Sequence, residues 1–551
     1  MDDISNEITV AGICLRSSAL FAGRTAFDMF KNDSIRDPVS YGLLGRRARQ
    51  ISVLLAELGV KAGDRVLLLS ENRPEWPMAY FGIALAGAVS VPVLTGFSGE
   101  QVRTISEHAE VAACCLSRTF AAKMEPCPST PLIFIDTIRD NDVTVSVSGA
   151  EKEIPLRDIS AVSDQSFPLR KPDDLVSIVY TSGSLGNSKG VMLSNRNLVS
   201  CALATRKLVR IRPRDRLLSV LPLAHTYECT LGLLNVVISG AKISYLDRPP
   251  SPRALLSAAR AVRPTAMITV PLLIEKIYRS HIAKALNASP LYRCALTKPL
   301  AARAAGRKLK RALGGSLRFF GIGGAPLSAE VERFLRKARF PYAPGYGLTE
   351  AAPVVTGTAP YCFPCHSAGS VLPGLDLRIT PVNKNAHSLI GEIQVRGPNI
   401  MMGYYNDEEK TREAFTSDGW LRTGDIGCVN KKRKLYVRGR LKALILSPSG
   451  ENIYPEEIEG LLSTSDLVED ALVFSGEKGE LVAMIHISEN AMLAARSAMN
   501  TLEKRLEELR VRANKKLAGF SRLSRIELHE EPFEKTPTLK IKRYLYVPSP
   551  S

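Results

Sequence analysis

The first half of the chain alternates between two kinds of apolar pattern. From Leu44 to Val60 apolar residues recur at helical spacing, and Gly59 and Gly63 mark the end of that segment. Two short aliphatic runs follow, Arg65–Ser70 and Ala86–Val93. Strand, helix and strand at this interval predict βαβ units on a largely parallel sheet.

The longest apolar stretch runs from Met78 to Leu94, near the lower length limit of a membrane span. Gly87 and Pro92 interrupt it, so it is predicted to be a buried helix followed by a buried strand. The segment from Met124 to Lys171 is polar and lacks periodicity, which predicts an irregular region.

Four later apolar runs also predict strands. One of them, Leu218 to Glu228, is expected to stop at a proline and to expose His225. A histidine beside an apolar strand is usually structural or solvent-facing, and a ligand-binding role is the alternative. The other runs are Val176–Tyr180, Ala266–Val270 before a helix at Leu273–Tyr278, and Leu317–Phe320 before a glycine-rich turn.

The run Val176–Tyr180 leads into the sequence TSGSLGNSKG, which is rich in hydroxyl groups and glycines. Small residues let a backbone approach a phosphate closely, and a lysine adds a mobile positive charge. The order of glycines and lysine does not match the P-loop pattern G-x-x-x-x-G-K-[ST]. An ordinary surface turn is the alternative to a polyphosphate site. The candidate residues are Thr181, Ser182, Gly183, Ser184, Gly186 and Lys189.

Length and composition narrow the class of protein. A chain of 551 residues is too long for one core and should hold at least two domains. Its net charge of +18 favours polyanionic partners. Aromatic residues make up only 6%, without a basic–aromatic platform, so nucleic acid is not an expected partner. The acidic, polar first ten residues are no secretory signal, and a cytoplasmic location is expected.

Basic residues cluster between Lys298 and Arg311, interleaved with leucine and alanine. As a helix, this segment would offer a cationic face of the kind that rests on anionic lipid. A solvated helix face is the alternative.

The order of the motifs, completed by Tyr346-Gly-Leu-Thr-Glu350, resembles the adenylate-forming (AMP-binding) superfamily of acyl-CoA synthetases, luciferases and peptide-synthetase adenylation domains. The resemblance runs from about Ser40 to Tyr546. It implies an α/β fold: a large, multi-subdomain N-terminal domain with mixed and parallel sheets flanked by helices, residues 1–440, and a small, mobile α+β domain, residues 441–551.

The resemblance assigns most candidate residues to the binding of ATP and Mg²⁺. The loop after Tyr180 looks like the cradle of the β- and γ-phosphates, and Gly324, Ala325 and Pro326 resemble the wall over the adenine. The implied contacts of the remaining residues are adenine stacking by Tyr346 beside Gly347, the α-phosphate for Thr349, Mg²⁺ for Glu350, the ribose hydroxyls for Asp425, and ribose and phosphate for Arg440.

The C-terminal part resembles the family's mobile domain. Lys442 occupies the hinge position, and Gly450 lies in the loop that lines the tunnel for the thiol acceptor. Lys540 looks like the lysine that reaches the reacting carboxylate and the α-phosphate, with Lys542 as the competing candidate. One departure is Asn195, which occupies a position often held by histidine.

LPLAHTYE at 221–228 and TPTLKIKR at 536–543 look most like the long-chain fatty acyl-CoA synthetases, and by that resemblance His225 would lie near the acyl pocket. The expected reaction makes acyl-AMP from a fatty acid and ATP, then transfers the acyl group to CoA. The alternatives are transfer to the phosphopantetheine thiol of acyl carrier protein, and a non-catalytic adenylate-binding protein. A peripheral contact with a membrane stays open.

Overall fold

The computed structural model describes most of the chain. The described residues are 9–124, 130–140, 142–147, 150–156, 167–168, 170–181, 189–248, 250–288, 298–381, 390–446, 452–465, 467–476, 480–487, 499–536 and 541–547.

Fourteen α-helices are described. They are α1 Val10–Leu20, α2 Tyr41–Glu57, α3 Glu75–Leu85, α4 Gly99–His108, α5 Asn195–Leu208, α6 Asn235–Ile238, α7 Pro252–Val262, α8 Pro271–Ile277, α9 Lys284–Ala288, α10 Lys298–Ala312, α11 Ala329–Lys337, α12 Glu408–Ala414, α13 Pro455–Leu462 and α14 Met499–Asn514. Two π-helical segments, Glu228–Leu234 and Tyr278–Ala283, precede α6 and α9. Short 3₁₀ turns occupy Arg118–Met124, Ile135–Asp140, Thr349–Ala351, Leu441–Ala443, Gly519–Ser521 and Arg543–Leu545.

A nine-stranded sheet carries the first set of βαβ units. Its parallel centre consists of β3 Arg65–Leu69, β4 Val89–Pro92, β5 Val111–Leu116 and β6 Leu132–Phe134. One flank adds β9 Leu175–Thr181, β10 Lys189–Ser194 and β21 Gly403–Tyr404, and the other adds β7 Asp142–Val147 and β8 Ala150–Pro155. Helix α3 packs on α2 beside this sheet with all its residues buried, which confirms a buried helix and strand within Met78–Leu94.

A seven-stranded sheet holds the second set of parallel strands. The strands are β1 Thr25–Lys31, β2 Ser34–Ser40, β11 Arg216–Leu218, β12 Lys242–Leu246, β13 Ala266–Thr269, β14 Phe319–Ile322 and β15 Tyr342–Pro344. Their order across the sheet is β15-β14-β13-β11-β12-β1-β2, and only the edge pair β1–β2 is antiparallel.

Two smaller sheets complete the large domain. One contains β16 Tyr346–Gly347, β17 Val354–Gly357 and β18 Ser370–Val371, and the other contains β19 Asp376–Pro381, β20 Gly391–Arg396, β22 Leu421–Val429 and β23 Leu435–Arg440. The described part of the C-terminal region has the hairpin β24 Ile445–Leu446 and β25 Asn452–Ile453. It also has the sheet β26 Val468–Ser475, β27 Leu481–Ile487 and β28 Arg525–Leu528.

The C-terminal sheet has a hydrophobic core of its own. Ile458 and Leu462 of α13 pack with Val473, Ile485 and Leu509 in a cluster separate from those of the large sheets. The α/β architecture with a smaller α+β unit therefore agrees with the expected fold class. The boundary at residue 440 stays a prediction.

Two sequence predictions are wrong. The segment Met124–Lys171, predicted to be irregular, supplies β6, β7 and β8. A strand was expected from Leu218 to Glu228, but Leu218 is the last residue of β11. A π-helical segment begins at Glu228. No described helix combines the length and the apolar character that a membrane crossing requires.

Candidate active site

The large and small domains share one cavity of about 1660 Å³. It lies beyond the carboxyl ends of the parallel strands β13 and β14, where Val270 and Gly323 reach its wall. Ligands bind at this edge in open α/β sheets, because the loops that leave neighbouring parallel strands converge there. Eleven of the predicted site residues line the cavity: Thr181, Lys189, His225, Gly324, Ala325, Tyr346, Gly347, Thr349, Glu350, Arg440 and Lys442.

The remaining predicted residues are placed differently. Pro326 is exposed and is not among the residues described as lining the cavity, whereas Ala325 directly before it is. Asp425 is buried and is not itself among the residues described as lining the cavity, but it contacts Tyr346 and Arg440, which line it. Ser182, Gly183, Ser184, Gly186, Gly450 and Lys540 lie outside the described residues.

Two glycines of the wall are required by the backbone. Gly324 has φ +87°, in the left-handed region that L side chains rarely adopt. A Cβ at Gly347 would lie 1.9 Å from the carbonyl oxygen of Pro353, to which the N–H of Leu348 donates. Glycine at 347 therefore allows the chain to fold back on itself directly before Thr349 and Glu350.

Asp425 is held between two cavity residues. The hydroxyl of Tyr346 donates to its Oδ2 over 2.6 Å, and Arg440 Nε lies 2.9 Å from its Oδ1. The antiparallel pairing of β22 and β23 places Asp425 directly opposite Arg440. Burial and the carboxylate together raise the pKa of Tyr346 well above its ordinary value. Burial lowers the pKa of Arg440, but Asp425, Tyr346, Glu350 and Glu456 together outweigh that effect, and the net pKa is raised.

Tyr404 links two residues that the sequence predicted separately. Its hydroxyl donates to Glu350 Oε1 over 2.9 Å, and Lys189 Nζ lies 4.6 Å from the centre of its ring. The pairing of β10 with β21 brings Tyr404 opposite Val191, two residues after Lys189. Burial and the nearby Glu350 raise the pKa of Tyr404. Sequence analysis missed this residue because its role depends on a pairing between distant strands.

His225 lines the cavity with a defined tautomer. The backbone N–H of Tyr227 donates to its Nδ1 over 3.1 Å. Nδ1 is therefore an acceptor, and in the neutral ring the proton is on Nε2.

Glu228, three residues later, was also missed. It is fully buried, and burial raises the pKa of its carboxyl to about 8, despite opposing contributions from the Ser219 hydroxyl and the Leu221 N–H. Neither carboxyl oxygen makes a well-formed hydrogen bond within the described residues. At neutral pH Glu228 is therefore mainly a protonated acid.

Asn195, noted above as a departure from the family pattern, has a structural role. Its Oδ1 accepts from the N–H of Val10 over 2.9 Å, and its Nδ2 donates to the carbonyls of Lys171 and Asp174. These contacts tie the start of α5 to the start of α1 and to the segment before β9.

The small domain closes part of the cavity. Lys535, Thr536 and Lys542 line it, and Lys542 Nζ lies 2.9 Å from Glu534 Oε2. At the junction of the domains, the backbone N–H of Arg440 donates to Glu456 over 3.0 Å. Lys442 is exposed in the 3₁₀ turn that follows β23.

Comparison with known protein families identifies the family of this chain. A model described as AMP-binding enzyme matches residues 16–405, and a model described as AMP-binding enzyme C-terminal domain matches residues 442–547. The chain belongs to the AMP-binding enzyme family.

Relatives of this AMP-binding enzyme include two named acyl-CoA ligases. It is 30% identical to long chain acyl-CoA synthetase 7, peroxisomal, of Arabidopsis thaliana, over 92% of this chain and 79% of the plant protein. It is also 30% identical to long-chain-fatty-acid–CoA ligase FadD15 of Mycobacterium bovis, over 83% of this chain and 79% of that protein. The family and these relatives place this AMP-binding enzyme among the adenylate-forming CoA ligases.

The fold of this AMP-binding enzyme is also that of a solved relative. O-succinylbenzoate coenzyme A synthetase from Bacillus subtilis, in complex with AMP, superimposes with a TM-score of 0.76 over 98% of each chain, at 23% identity.

Proposed function

We propose that this enzyme activates a long-chain fatty acid with ATP and transfers the acyl group to CoA. The observation that carries the proposal is the composition of the shared cavity. One part of its wall holds the charged and hydroxyl residues Lys189, Thr349, Glu350 and Arg440, with Asp425 behind them. The same cavity has an apolar part, formed by Leu208, Val209, Ile211, Leu217, Leu231 and Val236.

The polar part of the cavity suits a nucleotide. Asp425, already bonded to Tyr346 and Arg440, would accept the ribose hydroxyls, and the aromatic ring of Tyr346 would lie against the adenine. Lys189, beside the candidate phosphate loop, would contact the β- and γ-phosphates. Thr349 and Glu350 offer hard oxygen ligands, and a single carboxylate with phosphate oxygens is a common Mg²⁺ site. The ion would neutralise phosphate charge during the reaction.

The proposed chemistry has two steps. An oxygen of the fatty acid carboxylate attacks the α-phosphorus of ATP, and pyrophosphate leaves. The thiol then attacks the carbonyl carbon of the acyl-AMP, and AMP leaves with the carboxylate oxygen that bridged the two groups. Lys540 would stabilise the charge that develops at the α-phosphate in the first step. The small domain would turn about Lys442 between the steps.

The apolar part of the cavity supports a fatty acyl substrate. Its residues come from the end of α5, the connection after it, strand β11, and the π-helical segment with α6. His225 lines the same cavity. The names of the relatives in Arabidopsis and Mycobacterium also specify long-chain acids.

Pyrophosphate release with palmitate, ATP and Mg²⁺ tests the proposal. CoA and holo-acyl carrier protein are offered in parallel. Turnover with CoA is expected, and Lys540→Ala should abolish it while Lys542→Ala keeps most of it. Turnover with carrier protein alone would make the enzyme an acyl-ACP synthetase. Fatty acids of other chain lengths are then tried in place of palmitate. If none of them leads to pyrophosphate release while ATP still binds, a non-catalytic adenylate-binding protein is favoured.

A further inference from the structure

The positive charge of the chain is concentrated in one part of its sequence. Between Glu275 and Glu330 there is no acidic residue, and there are eleven lysines and arginines. That excess is more than half of the net charge of +18. The proposed reaction uses none of these residues.

Helix α10 presents the centre of this basic segment to solvent. Residues 300, 303, 304, 307, 308 and 311 are exposed, whereas Ala302, Gly306, Leu309 and Leu313 are buried. These spacings of three and four residues place the exposed set on one side of the helix. At 1.5 Å per residue the fifteen-residue helix is roughly 22 Å long. Its exposed side carries Leu300, Arg303, Arg307, Lys308 and Arg311, which we call the basic face.

The helix is fixed firmly enough to hold this face outward. A Cβ at Gly306 would lie 2.6 Å from Ala338 Cβ, so α10 packs closely against the end of α11. A Cβ at Gly314, just after α10, would lie 2.3 Å from the carbonyl of Ala259 in α7. The residues next to these two contacts, Arg263 and Arg339, are also exposed and basic.

None of the four cations of the basic face makes an ion pair with another described residue. Their charges are therefore not neutralised by that part of the protein. The largest apolar side chain on the face, Leu300, is 61% exposed. A helix that exposes cations together with an apolar side chain matches the chemistry of a bilayer surface, where cations meet headgroups and apolar groups reach the acyl boundary.

We propose that the basic face of α10 binds the anionic surface of a lipid bilayer. Why a bilayer would matter rests on the proposed function, since long-chain fatty acids dissolve in membranes. The path of the chain supports the link. Pro271 and Leu272, before the basic segment, line the cavity, and so does Phe319, shortly after α10. Helix α10 is therefore connected along the chain, on both sides, to segments that line the cavity.

An acidic carrier protein is the competing partner. The observations favour lipid because the charge is spread along a whole helix without fixed ion pairs to the described residues, and because an exposed leucine shares the face. A diffuse layer of headgroups requires no matching geometry, whereas a folded partner is selected by positioned contacts.

Co-sedimentation of the full chain with vesicles tests the proposal without any substrate. The vesicles contain phosphatidylcholine alone, or an equal mixture with phosphatidylglycerol. Binding is expected with the anionic vesicles alone, and it should weaken strongly when salt rises to about 0.5 M, since the charges are then screened. Each basic residue near an anionic surface contributes roughly fivefold in affinity. Four such residues together give a loss of roughly 600-fold, which is expected for the quadruple variant Arg303→Gln, Arg307→Gln, Lys308→Gln and Arg311→Gln.

A matched quadruple variant controls for net charge. It removes the same number of exposed cations elsewhere: Lys431→Gln, Lys432→Gln, Lys515→Gln and Lys516→Gln. This control should bind within about threefold of wild type, because its changes lie outside the face. Both variants alter exposed residues alone, and equal thermal unfolding temperatures would verify their folding.

Three results would overturn the proposal. They are no binding of the wild-type chain to anionic vesicles, an equal loss in both quadruple variants, and normal vesicle binding by the α10 variant. If the α10 variant binds vesicles normally but loses turnover with holo-acyl carrier protein, the face docks a protein. An enzyme that binds vesicles and does not activate palmitate would contradict the proposed function alone.

Discussion

Asp425 is the single side chain on which nucleotide binding should depend most. Charge-assisted hydrogen bonds contribute roughly 1.5–3 kcal/mol each. We expect Asp425→Asn to raise the KM for ATP about 10- to 100-fold, because the amide offers one acceptor and no charge. Tyr346→Phe keeps the aromatic ring and should raise the KM for ATP about tenfold or less. Steady-state kinetics with varied ATP measures both.

A control for this pair is Asp376→Asn, an exposed carboxylate 3.5 Å from Arg396. It should leave the KM for ATP unchanged. An Asp425→Asn enzyme that behaves like this control would remove Asp425 from the nucleotide site.

Tyr404 allows the Glu350 contact to be separated from the Lys189 contact. Tyr404→Phe removes the hydrogen bond to Glu350 and keeps the ring over which Lys189 lies. If Tyr404 positions Glu350 for Mg²⁺, the variant should need several-fold more Mg²⁺ for half-maximal activity, with a smaller change in the KM for fatty acid. Titration of Mg²⁺ at saturating ATP measures the effect. The matched control is Tyr361→Phe, which removes an exposed hydroxyl that donates to the backbone carbonyl of Arg339 and should not change the Mg²⁺ requirement.

Glu228 gives a prediction for the pH dependence of stability. Its folded pKa of about 8 lies above the ordinary 4.5. Between these values the folded protein keeps a proton that the unfolded chain has lost, so stability falls as pH rises, by about 1.4 kcal/mol per pH unit for one group. Glu228→Gln removes this dependence.

Thermal unfolding from pH 5 to pH 8 measures the Glu228 effect. The Gln variant should gain stability relative to wild type as pH rises, whereas the exposed Glu508→Gln should show no such trend. A stability difference between the Gln variant and wild type that does not change from pH 5 to pH 8 would mean that Glu228 is already ionised in the folded protein.

At the scale of single elements, the packing of α10 can be tested with two helical glycines. Gly306 faces Ala338 closely, whereas a Cβ added at Gly460 in α13 would meet no described atom within 4 Å. Gly306→Ala should destabilise the protein by about 1–3 kcal/mol because the helices must separate. Gly460→Ala should stabilise it by about 0.5–1 kcal/mol, the usual gain in a helix. Denaturant titration of both variants would contradict this packing if the two changes had the same sign.

Sequence analysis located the elements that have a clear apolar pattern within their own residues. Helix α2 and strands β3, β4 and β9 carry clear apolar patterns and were found close to their expected positions. Strands β7 and β8 were missed because they form an antiparallel hairpin at the edge of the sheet. All of β8 except Ile154 is exposed, so no apolar alternation reveals it.

The candidate site was likewise predicted only in part from the sequence. Asp425, Arg440, Tyr346 and Glu350 lie in motifs whose order along the chain can be recognised. Tyr404 could not be found in this way, since only the β10–β21 pairing brings it to Glu350 and Lys189. The role of Glu228 depends on complete burial, and an isolated glutamate after an apolar run does not indicate burial.

At the scale of the whole molecule, the two domains meet through polar contacts beside the cavity. Arg438 lies 2.9 Å from Glu457, and Arg279 donates to the carbonyl of Ser463 at the end of α13. The Arg438–Glu457 contact breaks at little cost, because exposed ion pairs contribute about 0–1 kcal/mol. The junction is therefore compatible with a small domain that changes its position between two reaction steps.

The proposed function depends on an acyl-adenylate intermediate, and an oxygen label in the fatty acid can detect its formation. Palmitate with ¹⁸O in both carboxylate positions is incubated with the enzyme, ATP, Mg²⁺ and CoA, and the AMP is analysed by mass spectrometry. We expect one ¹⁸O in each AMP formed, because the bridging carboxylate oxygen leaves with the nucleotide. Palmitoyl-CoA formation with unlabelled AMP would contradict an acyl-adenylate intermediate.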